Sequence, residues 1–109
     1  MTKYNLKLKK GTDFNFPFRI RKTETGELVD LTGYAGSMRI KDKYNGVILA
    51  SAIVNIDTDT NIVSFSINHT DTAQLPEGIA LYDIDLTNAS GEVRNVFYGE
   101  IEILQNTNI

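Results

Sequence analysis

Few residues in this chain are equipped for catalysis or ligand capture, and the residues around them argue against most. A single histidine, His69, precedes Asp71. A catalytic imidazole needs a nucleophile to activate and a carboxylate to orient it. Asp71 and Asp85 are the acids considered for that task, and neither a cysteine nor a nucleophile-elbow pattern accompanies them. The expected role of His69 is to pack against, or hydrogen-bond to, the turn that follows it. Asp57-x-Asp59-x-Asn61 has the opening spacing of a calcium loop. Ile62 stands where such a loop requires glycine, and Asn68 where it requires a bidentate glutamate. An Asx-rich hairpin turn is the expectation.

Two pairs of acids remain. Asp83 and Asp85 share one strand face, and Glu100 and Glu102 share a face of the next strand. Carboxylates facing each other across strands could hydrolyse glycosides if one were desolvated in a cleft, which a flat sheet face does not supply. The alternative is structural. If the strand of Met38 lies beside the strand of Tyr82, Arg39 and Lys41 meet Asp83 and Asp85 in a ladder on the outer face, each exposed pair contributing a few tenths of a kcal/mol. No catalytic residue, cofactor or metal ligand is assigned, partner-binding residues stay unassigned, and the chain is read as not an enzyme.

The elements that carry these residues are legible from alternation. Phe14, Phe16, Phe18 and Ile20 alternate with Asn15, Pro17, Arg19 and Arg21, a period of two that marks a sheet with one wet face. Pro17 cannot donate to a ladder, so it marks an edge or a bulge. Tyr4, Leu6 and Leu8 alternate with Lys3, Lys7 and Lys9, a first strand whose lysines protect an edge. After a turn at Thr23–Glu27 and a tight corner at Asp30-Leu31-Thr32-Gly33, a strand runs from Tyr34 to Lys41. Asp42–Gly46 closes a hairpin in which Asn45 and Gly46 are both expected to take positive φ. Val47 to Ile56 follows as one strand of uncertain register.

Val63, Phe65 and Ile67 then point inward, as do Ala80, Tyr82, Ile84 and Leu86. Val93, Phe97, Ile101 and Ile103 share a parity in the last strand, from Glu92 to about Leu104. A short helical turn near 70–75, capped by Thr70, interrupts the strands. Asn88–Gly91 is a further turn. Asn68-His69-Thr70 and Asn88-Ala89-Ser90 match the glycosylation pattern but fall in turns of a chain whose N-terminus, Met1 to Asn5, lacks a secretory signal. The pattern is an all-β sandwich of seven or eight strands. It forms a single domain over 1–109, with 1–10 an N-terminal edge strand or arm and 105–109 a frayed tail.

Composition narrows the classes further. The chain has 109 residues, 41% of them hydrophobic, with no cysteine and no tryptophan. That excludes disulfide frameworks, thiolate chemistry and zinc ribbons. A net charge of −3 argues against nucleic acid, whose binding needs a basic stripe. The basic residues do cluster in the first half, including Lys3, Lys7, Lys9, Arg19, Arg21 and Lys22, but read as one solvated face. No apolar run approaches membrane-spanning length. Tyr44 and Tyr98 are the two aromatics expected on the surface, and they are what a carbohydrate-binding alternative would use.

A family resemblance adds to this. Gly11-Thr12-Asp13-Phe14, Leu28-Val29-Asp30-Leu31-Thr32-Gly33-Tyr34, Met38-Arg39-Ile40, Thr72-Ala73-Gln74-Leu75-Pro76-Glu77-Gly78, Leu81-Tyr82-Asp83-Ile84 and Phe97-Tyr98-Gly99-Glu100-Ile101 follow one another. In that order they resemble the immunoglobulin-like N-terminal domain of the baseplate upper protein family of tailed bacteriophages. The resemblance implies an antiparallel immunoglobulin-like sandwich and a non-enzymatic virion component, assembled in the host cytoplasm. Its implied partners are other virion proteins, including copies of itself; nucleic acid, membrane and small-molecule ligands are not expected. Family members commonly continue into a region that binds receptor-binding proteins, and this chain is one domain long. Met1 to Lys10 and Gln105 to Ile109 are the segments expected to reach partners, since unattached ends can add a strand to a neighbour.

Overall fold

Alternation produces the strands, and two of the alternating runs break. In the computed structural model, which describes residues 2–22 and 24–105, the N-terminal run forms β1 (Thr2–Lys3) and β2 (Leu6–Lys9). The aromatic run forms β3 (Phe14–Phe18), and the next forms β4 (Ala35–Lys41). The run after the Asn-Gly turn splits into β5 (Ile48–Ser51) and β6 (Ile53–Asp57). Then come β7 (Ile62–Ile67), a one-turn helix α1 (His69–Thr72), β8 (Gly78–Thr87) and β9 (Val93–Leu104). Among the described residues, seven runs thus give nine strands. Met1, Thr23 and residues 106–109, and with them part of the expected first turn and most of the expected tail, lie outside the described residues.

Two sheets stack face to face. The larger runs β1-β9-β8-β4-β5 with β2 also on β9, and the smaller runs β3-β7-β6. The break at Ala52 is where the chain changes sheets. Ser51 pairs with Arg39 in the large sheet, the Ala52 amide donates to the Met38 carbonyl, and Ile53 pairs with Ser66 in the small one. That corner explains why Val47–Ile56 shows no single alternation.

The other departure is direction. β1 and β2 run parallel to β9, whereas an all-antiparallel sandwich was expected. A parallel pair needs a long connection between its strands, and the two ends of the chain have nearly the whole sequence between them. The N-terminal run therefore lies in its own sheet as the edge strand. Pro17 also sits on an edge, opposite Ser64 in β3, where its missing N–H costs no ladder bond.

The core lies between the sheets. Met38, Ile40, Ile84 and Ile101 from the large sheet meet Val63, Phe65 and Ile67 from the small one, all essentially sealed from water. Phe16 and Phe18 pack edge-on against Phe97 at centroid distances of 5.6 and 5.0 Å, the T-shaped arrangement that aromatic quadrupoles favour. Val93 does not follow Ile101 and Ile103 inward; it is 64% exposed. β9 carries a bulge there: Ile84 pairs with Phe97 but Asp85 with Asn95, leaving Val96 as the extra residue. One inserted residue flips every side chain beyond it to the other face.

Turn chemistry is supplied by side-chain carboxylates. Asp42 Oδ1 accepts from the Tyr44 and Asn45 amides at 2.8 and 3.1 Å, and only Gly46 takes positive φ (71°). The hairpin at Asp42–Gly46 forms as expected, closed by the Gly46 amide donating to Asp42 O, but Asn45 does not take the positive φ expected of it. The α1 cap is Asn68, not Thr70: its Oδ1 accepts from the Asp71 amide at 2.9 Å.

Gly99 is dictated by close approach. A Cβ built there would lie 2.5 Å from the Tyr4 carbonyl oxygen, at the step between β1 and β2. The same carbonyl accepts a hydrogen bond from the Tyr82 hydroxyl, whose pKa burial pushes up to about 12. Gly99→Ala must push the N-terminal strand off β9 and is expected to cost about 1–3 kcal/mol, as overpacking does. Urea unfolding measures the loss, and amide exchange in residues 2–9 should rise with it; an unchanged midpoint would show that the strand shifts freely.

Candidate functional site

The outer face of the large sheet carries the expected ladder. β4 and β8 are antiparallel neighbours with Arg39 opposite Asp83 and Ser37 opposite Asp85, so period-two alternation brings all four charged side chains to one face. Arg39 reaches Asp83 at 3.6 Å and Asp85 at 3.5 Å, and Lys41 reaches Asp83 at 3.0 Å. Their side chains are 23–38% exposed, half-buried rather than open. The Arg39 Nε and Asp83 Oδ1 are shielded from water without closing to hydrogen-bond distance. Glu100 is engaged separately by Lys43 at 3.2 Å.

No two of the four acids stand directly opposite each other across β8 and β9. Asp83 faces Tyr98 and Asp85 faces Asn95, while Glu100 and Glu102 face Leu81 and Ile79. Glu100 and Glu102 border a shallow hollow with Lys7 and Ile79. Register therefore lays three mixed rows across the face: Lys3–Tyr98–Asp83–Arg39, Glu100–Leu81–Lys41–Ile48 and Lys7–Glu102–Ile79. Ile48, Ile79, Leu81 and Tyr98 are each more than a third exposed among these charges.

His69 finds its carboxylate on an element the sequence reading did not consider. Asp13 Oδ1 lies 3.0 Å from His69 Nδ1 and accepts the His69 amide at 2.7 Å; Asp71 and Asp85 play no part in it. The pair ties the start of β3 to α1 on an open surface, with both side chains mostly exposed. The hydrogen bond from the imidazole, seconded by the amide, holds the Asp13 carboxyl below its ordinary value. A carboxyl lowered in the folded state adds stability that is complete above the unfolded value near 3.8 and is lost as pH falls through the lowered one. His69→Ala is accordingly expected to return the Asp13 titration, followed by carboxyl NMR, upward towards the ordinary range. A titration that stayed low would assign the shift to the backbone amide.

The Asp57–Asn61 segment is a turn. Asp57 Oδ1 accepts from the Asp59 and Thr60 amides at 3.0 and 3.3 Å, which holds its carboxyl below its usual range, and Asn61 takes φ of 56°. Among the described residues no three His, Asp or Glu side chains gather as a metal-ligand set. The two glycosylation-like asparagines are also turn residues: Asn88 Oδ1 accepts from the Ser90 and Glu92 amides at 3.0 Å each, and Asn68 caps α1.

A cleft at one end of the sandwich was not anticipated. β3 stops at Phe18, while β8 and β9 run on to Thr87 and from Val93. The large sheet therefore extends past the small one, and residues 19–22 and 24–34 cross that end as a strap. That strap is held by the Val29 amide donating to Ile20 O, the Arg21–Leu28 bridge and the Asn61 side-chain Nδ2 donating to Val29 O at 2.6 Å. Beneath it lies an open cleft of about 670 Å³. Its floor is Tyr34, Leu86, Val96 and Phe97, and Arg19, Arg21, Lys22 and Arg94 line its sides with Glu24 and Glu92. Neither Tyr44 nor Tyr98 lines it; Tyr44 stands 93% exposed at the β4–β5 turn.

Two unequal sheets around one apolar core, with an edge-paired N-terminal strand and an open cleft at one end, define a β-sandwich domain. The chain belongs to the LtfC-like β-sandwich domain family, whose model matches residues 2–103. No curated protein matches the sequence. Among solved structures, CopC from Methylosinus trichosporium OB3b superposes with a TM-score of 0.52, covering 95% of this chain and 89% of its own. At 12% identity that likeness concerns the fold, and sandwiches serve many unrelated tasks.

Proposed function

We propose that this domain is a non-enzymatic structural component of a tailed-bacteriophage virion, an assembly module of the baseplate, tail or other particle surface that acts through protein–protein interfaces. The observation that carries the reading is the outer face of the large sheet. It is backed by the packed core and sets Ile48, Ile79, Leu81 and Tyr98 among Arg39, Lys41, Asp83 and Glu100. Apolar side chains in the midst of fixed charges are what a specific protein contact uses, burial giving affinity and charge giving orientation. The resemblance to the phage baseplate domain, spread along nearly the whole chain, supplies the kind of partner: other virion proteins, copies of itself included. Membership of a β-sandwich family agrees with a binding module.

The test is mass spectrometry and cryo-electron microscopy of purified particles. The polypeptide should be present at fixed stoichiometry with the large sheet against a neighbouring subunit, and Leu81→Lys should keep the fold but reduce incorporation. Absence of the polypeptide from purified particles sinks the reading.

A further inference from the structure

We infer that the cleft beneath the strap of residues 19–22 and 24–34 is a binding site for a small organic anion: an apolar, ring-sized body carrying a phosphate or adjacent carboxylates. This goes beyond the assembly reading and does not depend on it. The volume of about 670 Å³ falls within the range of small-molecule sites, which combine an apolar floor with a few convergent polar groups. Here the lining includes the Tyr34 and Phe97 rings, and cations outnumber carboxylates among its charged groups. Four cationic side chains against two carboxylates leave an excess of two positive charges in a domain whose net charge is −3. The cleft is thus a positive pocket on an acidic body.

The guanidiniums are also held in place. Arg19 Nε donates to Thr60 O and one terminal nitrogen of Arg21 donates to Gly26 O, both at 3.1 Å. Those acceptors are neutral carbonyls, so each side chain is positioned while its charge stays uncancelled. Neither arginine forms an ion pair among the described residues. Arg94, from β9, has Glu92 only at 4.0 Å. A guanidinium with free parallel N–H groups matches the two oxygens of a carboxylate or phosphate. Guanidiniums entering from the strap and from β9 suit a doubly charged head group, with the ligand body lying on Phe97 and Tyr34. The resemblance to a virion component implied no small-molecule ligand, and nothing local in the sequence places Arg94 beside Arg19 and Arg21.

The experiment is a titration of the full chain by amide NMR with phenyl phosphate, benzene-1,2-dicarboxylate and inorganic phosphate. Saturable shifts are expected at residues 19–22 and 94–97 with at least one of the two aromatic anions, and the tighter of them identifies the head group. Inorganic phosphate should bind at least about tenfold more weakly, lacking the ring. The exposed double substitution Arg19→Gln with Arg21→Gln should weaken the aromatic anion at least about tenfold while leaving the remaining spectrum in place, since one good charge-assisted contact is worth about that much. Lys9→Gln with Lys10→Gln should leave affinity unchanged. The proposal is overturned if neither aromatic anion gives saturable shifts, if inorganic phosphate binds as well as both, or if the Arg19/Arg21 variant binds like the parent.

Discussion

Phe65→Ala is expected to remove about 3–5 kcal/mol of unfolding free energy, a large share of the roughly 5–15 kcal/mol that holds a domain of this size together. Phe65 sits at the middle of the small sheet's central strand, paired with Phe16 on one side and Val54 on the other. It has no exposed surface, and its ring stacks on Phe18 at 6.0 Å. The large sheet is shaped to receive it. A Cβ at Gly36 would lie 3.1 Å from the Phe65 ring tip and 2.9 Å from Leu86, so the bare backbone of Gly36 is the socket for the ring.

Removing the ring therefore leaves a hole whose walls are two hydrogen-bonded sheets that cannot collapse inward, the situation in which the cavity cost is largest. Phe65→Leu should cost less, about 1–2 kcal/mol. It should also make Gly36→Ala better tolerated than in the parent, a coupling that a double-mutant cycle reads directly. Urea midpoints with unchanged slopes measure all three. An additive cycle would show that the socket does not exist.

What could be read from the sequence, and what could not, divides along physical lines. Properties set by one strand and its neighbours in the chain were legible: the inward parity of Val63, Phe65 and Ile67, the edge position of Pro17, and the corner at Asp30–Gly33. The Arg39–Lys41–Asp83–Asp85 ladder was legible too, because alternation fixes which face a side chain takes once two strands are neighbours. Properties set by pairing between distant segments were not. Nothing local tells Tyr4 that it will lie on Gly99, or that β2 will run parallel to β9. Nothing local shows that Val47–Ile56 will serve two sheets, or that an extra residue at Val96 will turn Val93 outward.

The cleft belongs to this second group. It exists because two strands outrun a third, and its cations come from opposite ends of the chain. Asp13 reaching His69 is a smaller instance, for the acids weighed from the sequence were Asp71 and Asp85, and Asp13 lies 56 residues from His69. The cap of α1 was missed for a different reason. Asn68 and Thr70 both suit a cap, and the choice rests on where β7 ends, a boundary that alternation leaves open by a residue or two.

Thr72→Val is the second substitution expected to be severe, although it leaves shape and volume almost unchanged. Among the described residues Thr72 is the one fully buried polar residue, and its hydroxyl bonds on both sides. It accepts from the Gly11 amide at 3.1 Å and donates to the Thr12 carbonyl at 2.8 Å. Those groups form the turn that carries the chain from β2 in the large sheet to β3 in the small one. A four-residue helix has too little propensity to persist alone; α1 is fixed because this hydroxyl ties it to the crossover. Valine fills the space but supplies neither donor nor acceptor, so two backbone groups lose their partners at about 1–3 kcal/mol each, about 2–4 kcal/mol in all once partial access to water is allowed.

Thr72→Ser is the discriminating control. It gives up a buried methyl, worth about 1 kcal/mol, but keeps both hydrogen bonds. If the hydroxyl is what matters, serine will be the milder change, and the Gly11 amide will exchange faster in the valine variant alone. If packing is what matters, valine will be tolerated and serine will be the damaging one, since only serine removes carbon from the site. The two accounts predict opposite orders for one pair of proteins, so a single comparison of unfolding midpoints decides whether the two sheets are joined here by a polar rivet or by fit alone.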